Sequence, residues 1–350
     1  MKAMMLTAGL GTRLRPVTDH WAKPVVPFLG IPLLKYPLYL LQESGVTELV
    51  LNTHYKSEQV DALAKEISSA NLKVHVSHEP GTPLGSGGGI WKAKPWLKGS
   101  DRESFLVCNG DEVILPKDPE ILSKFKAEHK KNNALATILV MRHPLVGTQF
   151  GGVWCSPEGN VRGFGKDSKA FGADSTGFHY IGMLLLNSRI FDYLPEGESN
   201  ILYDALAKAI ANKEVVRIVE GDFTWFETGN PHDLLEGSKE GLELLHAGQG
   251  EDAKALRAIT KRFWKPGTKL EKHSEALVLH GPETKIAAEA AIKGFAVLEE
   301  GSRVEAGASL DSVILMPHAQ VTSDKKNEIV LPPAVTTYLS FKKLSALSRA

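Results

Sequence analysis

The hydrophobic positions of the first 235 residues alternate between short continuous apolar runs and longer stretches whose apolar residues stand three or four apart. Continuous runs are typical of strands buried on both faces, and the wider spacing is typical of amphipathic helices. Seven strands are predicted, at 2–6, 48–52, 73–77, 104–108, 134–141, 182–186 and 215–219. Four helices are predicted between them, at 33–44, 57–70, 121–131 and 201–211. This alternation predicts a three-layer, Rossmann-like α/β domain with a mostly parallel sheet.

The pattern changes after residue 231 and then becomes periodic. Residues 231–264 favour helix, interrupted by a loop at 246–250. Beyond them, aliphatic residues recur every six positions, at Ile286, Ile292, Leu298, Val304, Leu310 and Met316. Small residues follow the first four of these by four positions, at Ala290, Ala296, Ser302 and Ala308. A six-residue period predicts a short left-handed β-helix of about two coils over 286–321.

An irregular β-domain with accidental spacing is the alternative, because Ile314 occupies the place of a small residue in the fifth repeat. The predicted domains are a first domain at 1–235, a helical connector at 236–265, and a hexapeptide-repeat domain with its tail at 266–350.

Composition excludes several classes of protein. The 350 residues carry 41 Lys+Arg against 41 Asp+Glu, so neither a nucleic-acid backbone nor an anionic membrane is expected as the main partner. No apolar run approaches the length of a membrane span. Cys108 and Cys155 are too few for a disulfide framework and suit a reducing compartment. The N-terminus lacks the central apolar segment of a signal peptide, and we expect a cytoplasmic protein.

A glycine-rich segment follows the first predicted strand. It reads Leu-Thr-Ala-Gly-Leu-Gly-Thr-Arg-Leu-Arg-Pro over 6–16, and Lys23-Pro24 follow. Glycines let backbone N–H groups approach a phosphate or a nucleobase closely. Leu14 stands where a dinucleotide fingerprint has its third glycine, and the Gly-Lys-Ser/Thr of a P-loop is absent. The loop therefore matches neither common phosphate motif.

The segment resembles the signature of the sugar-1-phosphate nucleotidylyltransferases, L-A-A-G-x-G-T-R-L-x-P-x-T followed by Lys-Pro. Thr7 replaces an alanine of that signature, and Thr18 also matches it. Five more segments resemble family motifs in the same order: the nucleobase loop at 83–90, the strand ending in Gly-Asp at 105–111, the Glu-Lys-Pro segment at 164–167, the Asn-Ala-Gly segment at 180–182, and W-x-D-x-G-T at 225–230.

The resemblance implies transfer of a nucleotidyl group from a nucleoside triphosphate to a sugar 1-phosphate, assisted by Mg²⁺. It implies nucleotide contacts at Leu6, Ala8, Gly9, Gly11, Thr12, Gly87 and Gly88, and sugar-phosphate contacts at Gly152, Lys166 and Gly182. Arg13, Lys23 and Asp111 are the implied catalytic residues, and Asp111 and Glu227 the implied Mg²⁺ ligands. The attacking phosphate is already an anion, so positioning and charge neutralisation are needed rather than an activated Ser, Cys or His.

Three of these residues admit other interpretations. Asp111 follows Asn-Gly and can serve as a turn residue, and Lys166 can be a solvated surface lysine because Gly165 and Asp167 depart from the family motif. Glu227 replaces the family's aspartate, which moves the carboxylate by about 1.5 Å, one covalent bond length.

Several functions therefore stay open. We expect GTP and mannose 1-phosphate as substrates. The Gly-Gly-Gly-Ile stretch instead resembles the N-acetylmuramate-1-phosphate uridylyltransferases, and Glu227 suggests a catalytically weak, nucleotide-sugar-binding regulator. The missing P-loop lysine disfavours a kinase. The C-terminal repeat is expected to form homo-oligomer contacts rather than an acyltransferase, for which His318 is the lone candidate histidine.

Overall fold

A computed structural model describes residues 1–333 and the backbone of Leu339–Ser340. The chain forms two compact units that do not follow chain order. The first unit combines Met1–Leu10 with Pro37–Thr224, and the second combines Gly11–Tyr36 with the described part of Trp225–Ala350. The segment that carries Arg13 and Lys23 therefore belongs to the same unit as the C-terminal strands.

The first unit contains a nine-stranded sheet. Seven strands lie side by side in the order Val161–Gly165, Gly152–Cys155, Thr176–Asn187, Ser104–Asn109, Lys2–Leu6, Glu48–Thr53 and Lys73–His78. Ala136–Met141 also pairs with Thr176–Asn187, and Val216–Glu220 pairs with Ala136–Met141. All seven predicted strands are present, with ends shifted by a few residues or, for Thr176–Asn187, extended to twelve.

The sheet is mixed rather than mostly parallel. Lys2–Leu6 is parallel to both neighbours, as predicted. Thr176–Asn187 is antiparallel to every strand it pairs with, and Gly152–Cys155 is antiparallel to Val161–Gly165. The sequence pattern missed these antiparallel pairs because the two short strands contain glycine and polar residues instead of continuous apolar runs.

Helices cover the sheet, which is buried on both faces. Consecutive residues such as Met4 and Met5, or Val107 and Cys108, are each no more than 1% exposed, although neighbouring strand residues point to opposite faces. The helices described are Lys35–Glu43, Ser57–Ile67, Gly85–Lys92, Lys94–Leu97, Ile121–Lys131 and Ala207–Ala211, the last preceded by a π-helix at Ile201–Leu206. Three-residue to five-residue 3₁₀ turns occur at Thr12–Leu14, Val17–Asp19, Lys23–Val25, Ser168–Phe171 and Ser188–Asp192.

The second unit packs two helices with two sheets whose strands pair mostly in parallel. The helices are Pro231–Ala247 and Glu251–Phe263, as the predicted connector required. One sheet has the order Lys269–His273, Ala276–His280, Ala291–Leu298, Ser309–Leu315, Lys325–Val330 and Leu339–Ser340. A second sheet has the order Lys285–Ile286, Arg303–Val304 and Gln320–Val321. Two further short strands of this unit are Pro27–Phe28 and Ile31–Pro32, and two more elsewhere in the chain are Val113–Pro116 and Phe223–Phe226.

The pairing of these parallel strands follows the predicted period. Val278 pairs with Ala296, and Ile286 pairs with Val304, in both cases eighteen positions later, or three repeats of six. The repeat residues Leu298, Val304 and Leu310 are buried in one common cluster. This arrangement is compatible with a β-helix.

The period shortens in the next coil, which explains the irregular Ile314. Ile292 pairs with Leu310 eighteen positions later, but Ala296 pairs with Val313 only seventeen positions later. Val313 and Leu315 therefore enter the interior cluster in register with Ala296 and Leu298, and Met316 is fully buried without being one of its members. Ser312 has a positive φ of 61° at this shift.

Within residues 1–333, every helix is too short or too polar to span a lipid bilayer.

Candidate functional site

The carboxyl ends of two parallel strands form the candidate site in the first unit. Lys2–Leu6 and Ser104–Asn109 lie side by side, and Leu6 pairs with Asn109. The Gly110 N–H donates to the Leu6 carbonyl at 2.9 Å. After Lys2–Leu6 the next strand of this sheet lies on one side of the pair, and after Ser104–Asn109 the next strands lie on the other side. Open α/β sheets bind ligands at the point where the strand order reverses in this way. The structure thus places the start of the signature loop beside the Gly-Asp segment.

A buried polar network fixes the start of the signature loop. The Thr7 N–H donates to Asn52 Oδ1 at 2.7 Å, and the Thr7 hydroxyl donates to the Asn52 carbonyl. Asn52 Nδ2 donates in turn to Glu79 Oε1 at 2.7 Å. Thr7, Asn52 and Glu79 are each no more than 3% exposed. Thr7, the departure from the family signature, therefore supplies a hydroxyl that holds two strand ends together.

The glycine-rich segment near residue 85 is helical rather than the expected loop. The helix Gly85–Lys92 begins there, and its N-terminal residue Leu84 donates its N–H to Glu79 Oε2 at 2.9 Å. The Gly87 N–H donates to the Ser199 carbonyl at 2.8 Å. A Cβ at Gly88 would overlap the Gly197 carbonyl oxygen. These glycines allow the helix to approach another backbone segment closely, which the sequence interpretation did not include.

Acidic groups stand next to the Gly-Asp segment. Asp111 and Glu112 follow strand Ser104–Asn109 and are partly buried. Asn109 Nδ2 donates to Glu112 Oε1 at 3.3 Å. Gly182 has a positive φ of 81°, and a Cβ there would lie 2.8 Å from Glu112 Cγ. Gly182 therefore allows close packing against Glu112, a residue that the sequence interpretation passed over although it adjoins Asp111.

The remaining predicted sugar-phosphate residues lie on a β-hairpin. Gly152 pairs with Gly165, the residue before Lys166. Lys166 is exposed. Asp167 accepts a hydrogen bond of 3.0 Å from the Lys169 N–H and so caps the 3₁₀ turn Ser168–Phe171. The residue that replaces the family's proline thus has a local structural role, and Lys166 is left with its side chain in solvent.

An aromatic and imidazole cluster adjoins this hairpin and was missed from sequence. The ring centroids of His143 and Phe150 are 5.0 Å apart, as are those of Phe150 and His179. Burial lowers the pKa of His179 to about 4, with a smaller effect of His143. Phe150 stands two positions before Gly152, so the cluster adjoins the predicted sugar-phosphate residues. Wide sequence spacing hid this cluster, since no local motif links these three residues.

The second unit holds the other half of the signature. Gly11 has a positive φ of 63°, and a Cβ there would lie 2.9 Å from Thr18 Cγ2. The Thr18 hydroxyl donates to the Gly11 carbonyl at 2.8 Å. Leu14 and Val17 are fully buried between these two residues. The glycine and threonine of the motif therefore close the turn that presents Thr12 and Arg13 to solvent.

Arg13, Lys23 and Glu227 come together within this unit. A Cβ at Gly229 would lie 3.2 Å from Arg13 Nη2 and would overlap Glu227 Oε1, so both charged groups approach this glycine. Lys23 and Arg13 both act electrostatically on Glu227. The fold thus joins two cations separated by ten positions to a carboxylate more than two hundred positions later.

Burial dominates the ionisation of this carboxylate. It raises the pKa of Glu227 above its ordinary value, while Lys23 and then Arg13 act in the opposite direction. Asp233 raises the pKa further. The two cations thus offset part of the effect of burial and favour the ionised carboxylate.

The chain belongs to the nucleotidyl transferase family, whose model matches residues 2–243. The family expected from the signature is thereby confirmed. The match covers the whole of the nine-stranded sheet and extends into the helix Pro231–Ala247.

Among curated proteins, the chain is 28% identical over 247 residues to a UTP–glucose-1-phosphate uridylyltransferase of Synechocystis, which covers 67% of this chain and 62% of that protein. It is 29% identical over 246 residues to a probable mannose-1-phosphate guanylyltransferase of Oryza sativa, which covers 70% of this chain and 66% of that protein. The chain therefore spans less than two thirds of the length of these relatives.

Solved structures share the fold. The inositol-1-phosphate CTP transferase from T. maritima superimposes with a TM-score of 0.56 at 20% identity, covering 75% of this chain and 98% of that one. HddC from Yersinia pseudotuberculosis gives a TM-score of 0.54 at 24% identity, covering 68% of this chain and 98% of that one.

Proposed function

We propose that this chain is a sugar-1-phosphate nucleotidylyltransferase. A phosphate oxygen of the sugar 1-phosphate attacks the α-phosphorus of a nucleoside triphosphate, the bond from that phosphorus to the bridging oxygen breaks, and pyrophosphate leaves. The observation that carries this proposal is the grouping of Arg13, which lies on the signature turn, with Lys23 and Glu227. Two fixed cations beside a carboxylate suit a reaction whose barrier is governed by phosphate charge.

The signature turn contributes nucleotide binding. We propose that Leu6, Ala8, Gly9, Gly11 and Thr12 contact the nucleotide, with Gly87 and Gly88 of the glycine-rich helix. Because the N–H groups of Gly87 and Gly88 already donate to Ser199, their contribution is close approach rather than hydrogen-bond donation. The carboxyl end of strand Lys2–Leu6 is the place where open α/β sheets bind ligands.

Arg13 and Lys23 neutralise the triphosphate. Arg13 stands on a turn anchored by the buried Leu14, and its own side chain is exposed and reachable. We propose that Arg13 stabilises charge on the phosphorus that is attacked and that Lys23 holds a neighbouring phosphate. Lys166 is proposed to bind the phosphate of the sugar, with Gly152 and Gly182 allowing close approach.

Asp111 and Glu227 are the proposed Mg²⁺ ligands. Both are partly buried carboxylates, the donor type that Mg²⁺ takes in ones and twos beside phosphate oxygens and water. When bound, the ion supplies charge neutralisation for the triphosphate. Lys23 and Arg13 favour the ionised form of Glu227 against the effect of burial.

We propose GTP and mannose 1-phosphate as substrates, with UTP as the second candidate nucleotide. The guanylyltransferase relative from Oryza sativa supports the first choice, and the uridylyltransferase relative from Synechocystis supports the second at similar identity. A structure of HddC from Yersinia pseudotuberculosis complexed with GMP-PN also supports a guanine nucleotide.

The deciding experiment measures pyrophosphate release for the four nucleoside triphosphates against a panel of sugar 1-phosphates. We expect turnover that is fastest with GTP and mannose 1-phosphate and at least a hundredfold slower in Asp111→Asn. Asp118→Asn, a change of another acid in the same unit, is the matched control and should retain full activity. Preference for a pyrimidine would overturn the guanylyl assignment, and no turnover with any pair would overturn the transferase assignment.

A regulatory homologue is the second candidate function, favoured by Glu227 in place of the family's aspartate. Thermal stabilisation by a nucleotide sugar in the absence of any turnover would support it.

The C-terminal strands are proposed to form a left-handed β-helix that mediates self-association, following the functional division into 1–235, 236–265 and 266–350. The eighteen-residue pairing interval supports the β-helix. Sedimentation of the full chain over a range of concentrations tests the association. A monomer at every concentration would overturn it.

A further inference from the structure

A hairpin at the start of the C-terminal sheet carries three potential metal ligands. Lys269–His273 pairs antiparallel with Ala276–His280, and Lys269 lies opposite His280. Residues two apart share a face of a strand, so Glu271 and His273 lie on the same face as Lys269 and hence as His280. The hairpin therefore collects one carboxylate and two imidazoles on one side.

The donor atoms of these three side chains converge. Glu271 Oε2 is 3.5 Å from His273 Nε2 and also 3.5 Å from His280 Nε2, and all three donor atoms lie within 4.8 Å of one another. A tetrahedral site with bonds of about 2.05 Å separates its ligand atoms by about 3.4 Å. The spacing is longer than a good hydrogen bond and close to the separation that a bound ion requires.

One of these donor atoms is buried without a hydrogen bond. His280 Nε2 has no hydrogen-bond partner among the described residues, and only 12% of its side chain is exposed. Leaving a buried ring nitrogen unpaired costs free energy of about 1–3 kcal/mol. Coordination of a metal by this nitrogen, which faces Glu271, removes that cost.

A lysine orients the carboxylate for coordination. Lys269 Nζ donates to Glu271 Oε1 at 2.6 Å and leaves Oε2 directed at the two imidazoles.

The histidines also line a cleft. Its volume is about 720 Å³, and Thr284, Ile286 and Ala290 form part of its wall beside His273 and His280. Three protein ligands leave a fourth tetrahedral position, which water or a small anion from this cleft can fill. Two imidazole nitrogens and one carboxylate favour Zn²⁺ and its neighbours over Mg²⁺, which prefers oxygen.

We propose that Glu271, His273 and His280 bind a divalent transition metal of the zinc class, which fastens the two strands of the hairpin at the mouth of the cleft. This site is independent of the residues proposed for nucleotidyl transfer.

The test uses untagged full-length protein stripped of metal and titrated with Zn²⁺ in excess Mg²⁺, which saturates oxygen-only sites. Competition with a chromophoric zinc indicator should reveal one tightly bound equivalent. His273→Ala and Glu271→Gln should each weaken binding at least tenfold. His318→Ala, which removes an exposed histidine of the same unit, is the matched control and should bind as tightly as the wild type.

Two readouts separate ligation from a merely structural effect. Co²⁺ in place of Zn²⁺ should give the intense visible absorption of a tetrahedral ion, which His273→Ala abolishes. Zn²⁺ should raise the Tm of the wild type and not that of His273→Ala, whose exposed side chain can be removed without loss of the fold. Absence of Zn²⁺ uptake in excess Mg²⁺, or equal uptake by His273→Ala, would overturn the proposal.

Discussion

The carboxylate of Glu299 accepts a hydrogen bond of 3.0 Å from the backbone N–H of Gly30, which lies 269 positions earlier in the chain. Trp264 Nε1 donates to the carbonyl of the neighbouring Leu29 at 2.8 Å. These two bonds hold the turn between strands Pro27–Phe28 and Ile31–Pro32 on the C-terminal part of the second unit. The segment that bears Arg13 and Lys23 thus depends on residues that follow the family match.

This buried carboxylate makes stability dependent on pH. Burial raises the pKa of Glu299 to about 7, against the effects of Gly30 and Lys265 and with a smaller rise from Glu300. The pKa of the buried Tyr36 is raised by its burial and, to a smaller extent, by the charge of Glu299. The folded chain binds this proton more tightly than the unfolded chain, so the contribution is full below the unfolded pKa of 4.5 and is lost as pH rises toward 7.

We expect Glu299→Gln to remove this dependence, since glutamine keeps an acceptor for the Gly30 N–H and carries no charge. The free energy of unfolding of the wild type should fall by about 3 kcal/mol relative to the variant between pH 4.5 and pH 7.5. Chemical denaturation at several pH values measures it. Parallel pH profiles of the two proteins would show that this carboxylate does not titrate as inferred.

Arg13 should be needed for turnover. We expect Arg13→Ala to reduce kcat at least a hundredfold, because one group that stabilises transition-state charge contributes about 3 kcal/mol. Arg15→Ala is the matched control, since Arg15 lies two positions away and forms an exposed ion pair with Asp19. Steady-state pyrophosphate release measures both variants. Equal rates for the two would remove Arg13 from the proposed mechanism.

Glu227→Asp tests the departure from the family's aspartate. The shorter side chain withdraws the carboxylate by about one bond length from the position that Gly229 and Arg13 now surround. We expect a lower kcat and a higher Mg²⁺ requirement if this site has adapted to glutamate. An aspartate variant that turns over faster than the wild type would show that the native geometry limits catalysis, as the regulatory alternative requires.

Two glycines should respond differently to alanine. A Cβ at Gly88 would overlap the Gly197 carbonyl oxygen, whereas a Cβ at Gly9 has open space for 4 Å. We expect Gly88→Ala to lower the Tm, since overpacking costs about 1–3 kcal/mol and exceeds the helical gain of about 1 kcal/mol. Gly9→Ala should leave the Tm unchanged and raise KM for the nucleotide. Thermal melts and initial rates distinguish the two effects. An unchanged Tm in Gly88→Ala would refute the packing argument.

Local patterns predicted most of the first unit. Apolar runs such as Phe105 to Cys108 are buried on both faces and predicted the positions of the strands. Amphipathic spacing predicted both the first and the last residue of the helix Ile121–Lys131. Gly85–Lys92 escaped prediction as a helix, because its glycines are poor helix formers and fit only against Ser199 and Gly197. That contact is not visible in local sequence.

The candidate site was likewise predicted only in part from the sequence. Motif spacing predicted Arg13, Lys23 and Glu227, and the fold groups them. No pattern predicted that Gly11–Tyr36 belongs with the C-terminal unit, because long-range bonds such as Gly30 to Glu299 join unrelated segments. The change of the pairing interval from eighteen to seventeen residues near Ser312 was also not predicted, since a repeat can lose one residue at any bend between its strands.

The split of the second unit orders events during synthesis. Gly11–Tyr36 leaves the ribosome early, but its partners begin at Trp225, after the 188 residues of Pro37–Thr224. At about 5–20 residues per second, the turn that carries Arg13 waits roughly 10–40 seconds for its partners. Throughout that interval a nascent chain has its first strand made and lacks the packed turn that follows it in sequence. The earliest-made segment of the proposed active site therefore cannot reach its packed state until the C-terminal residues of its unit have been made.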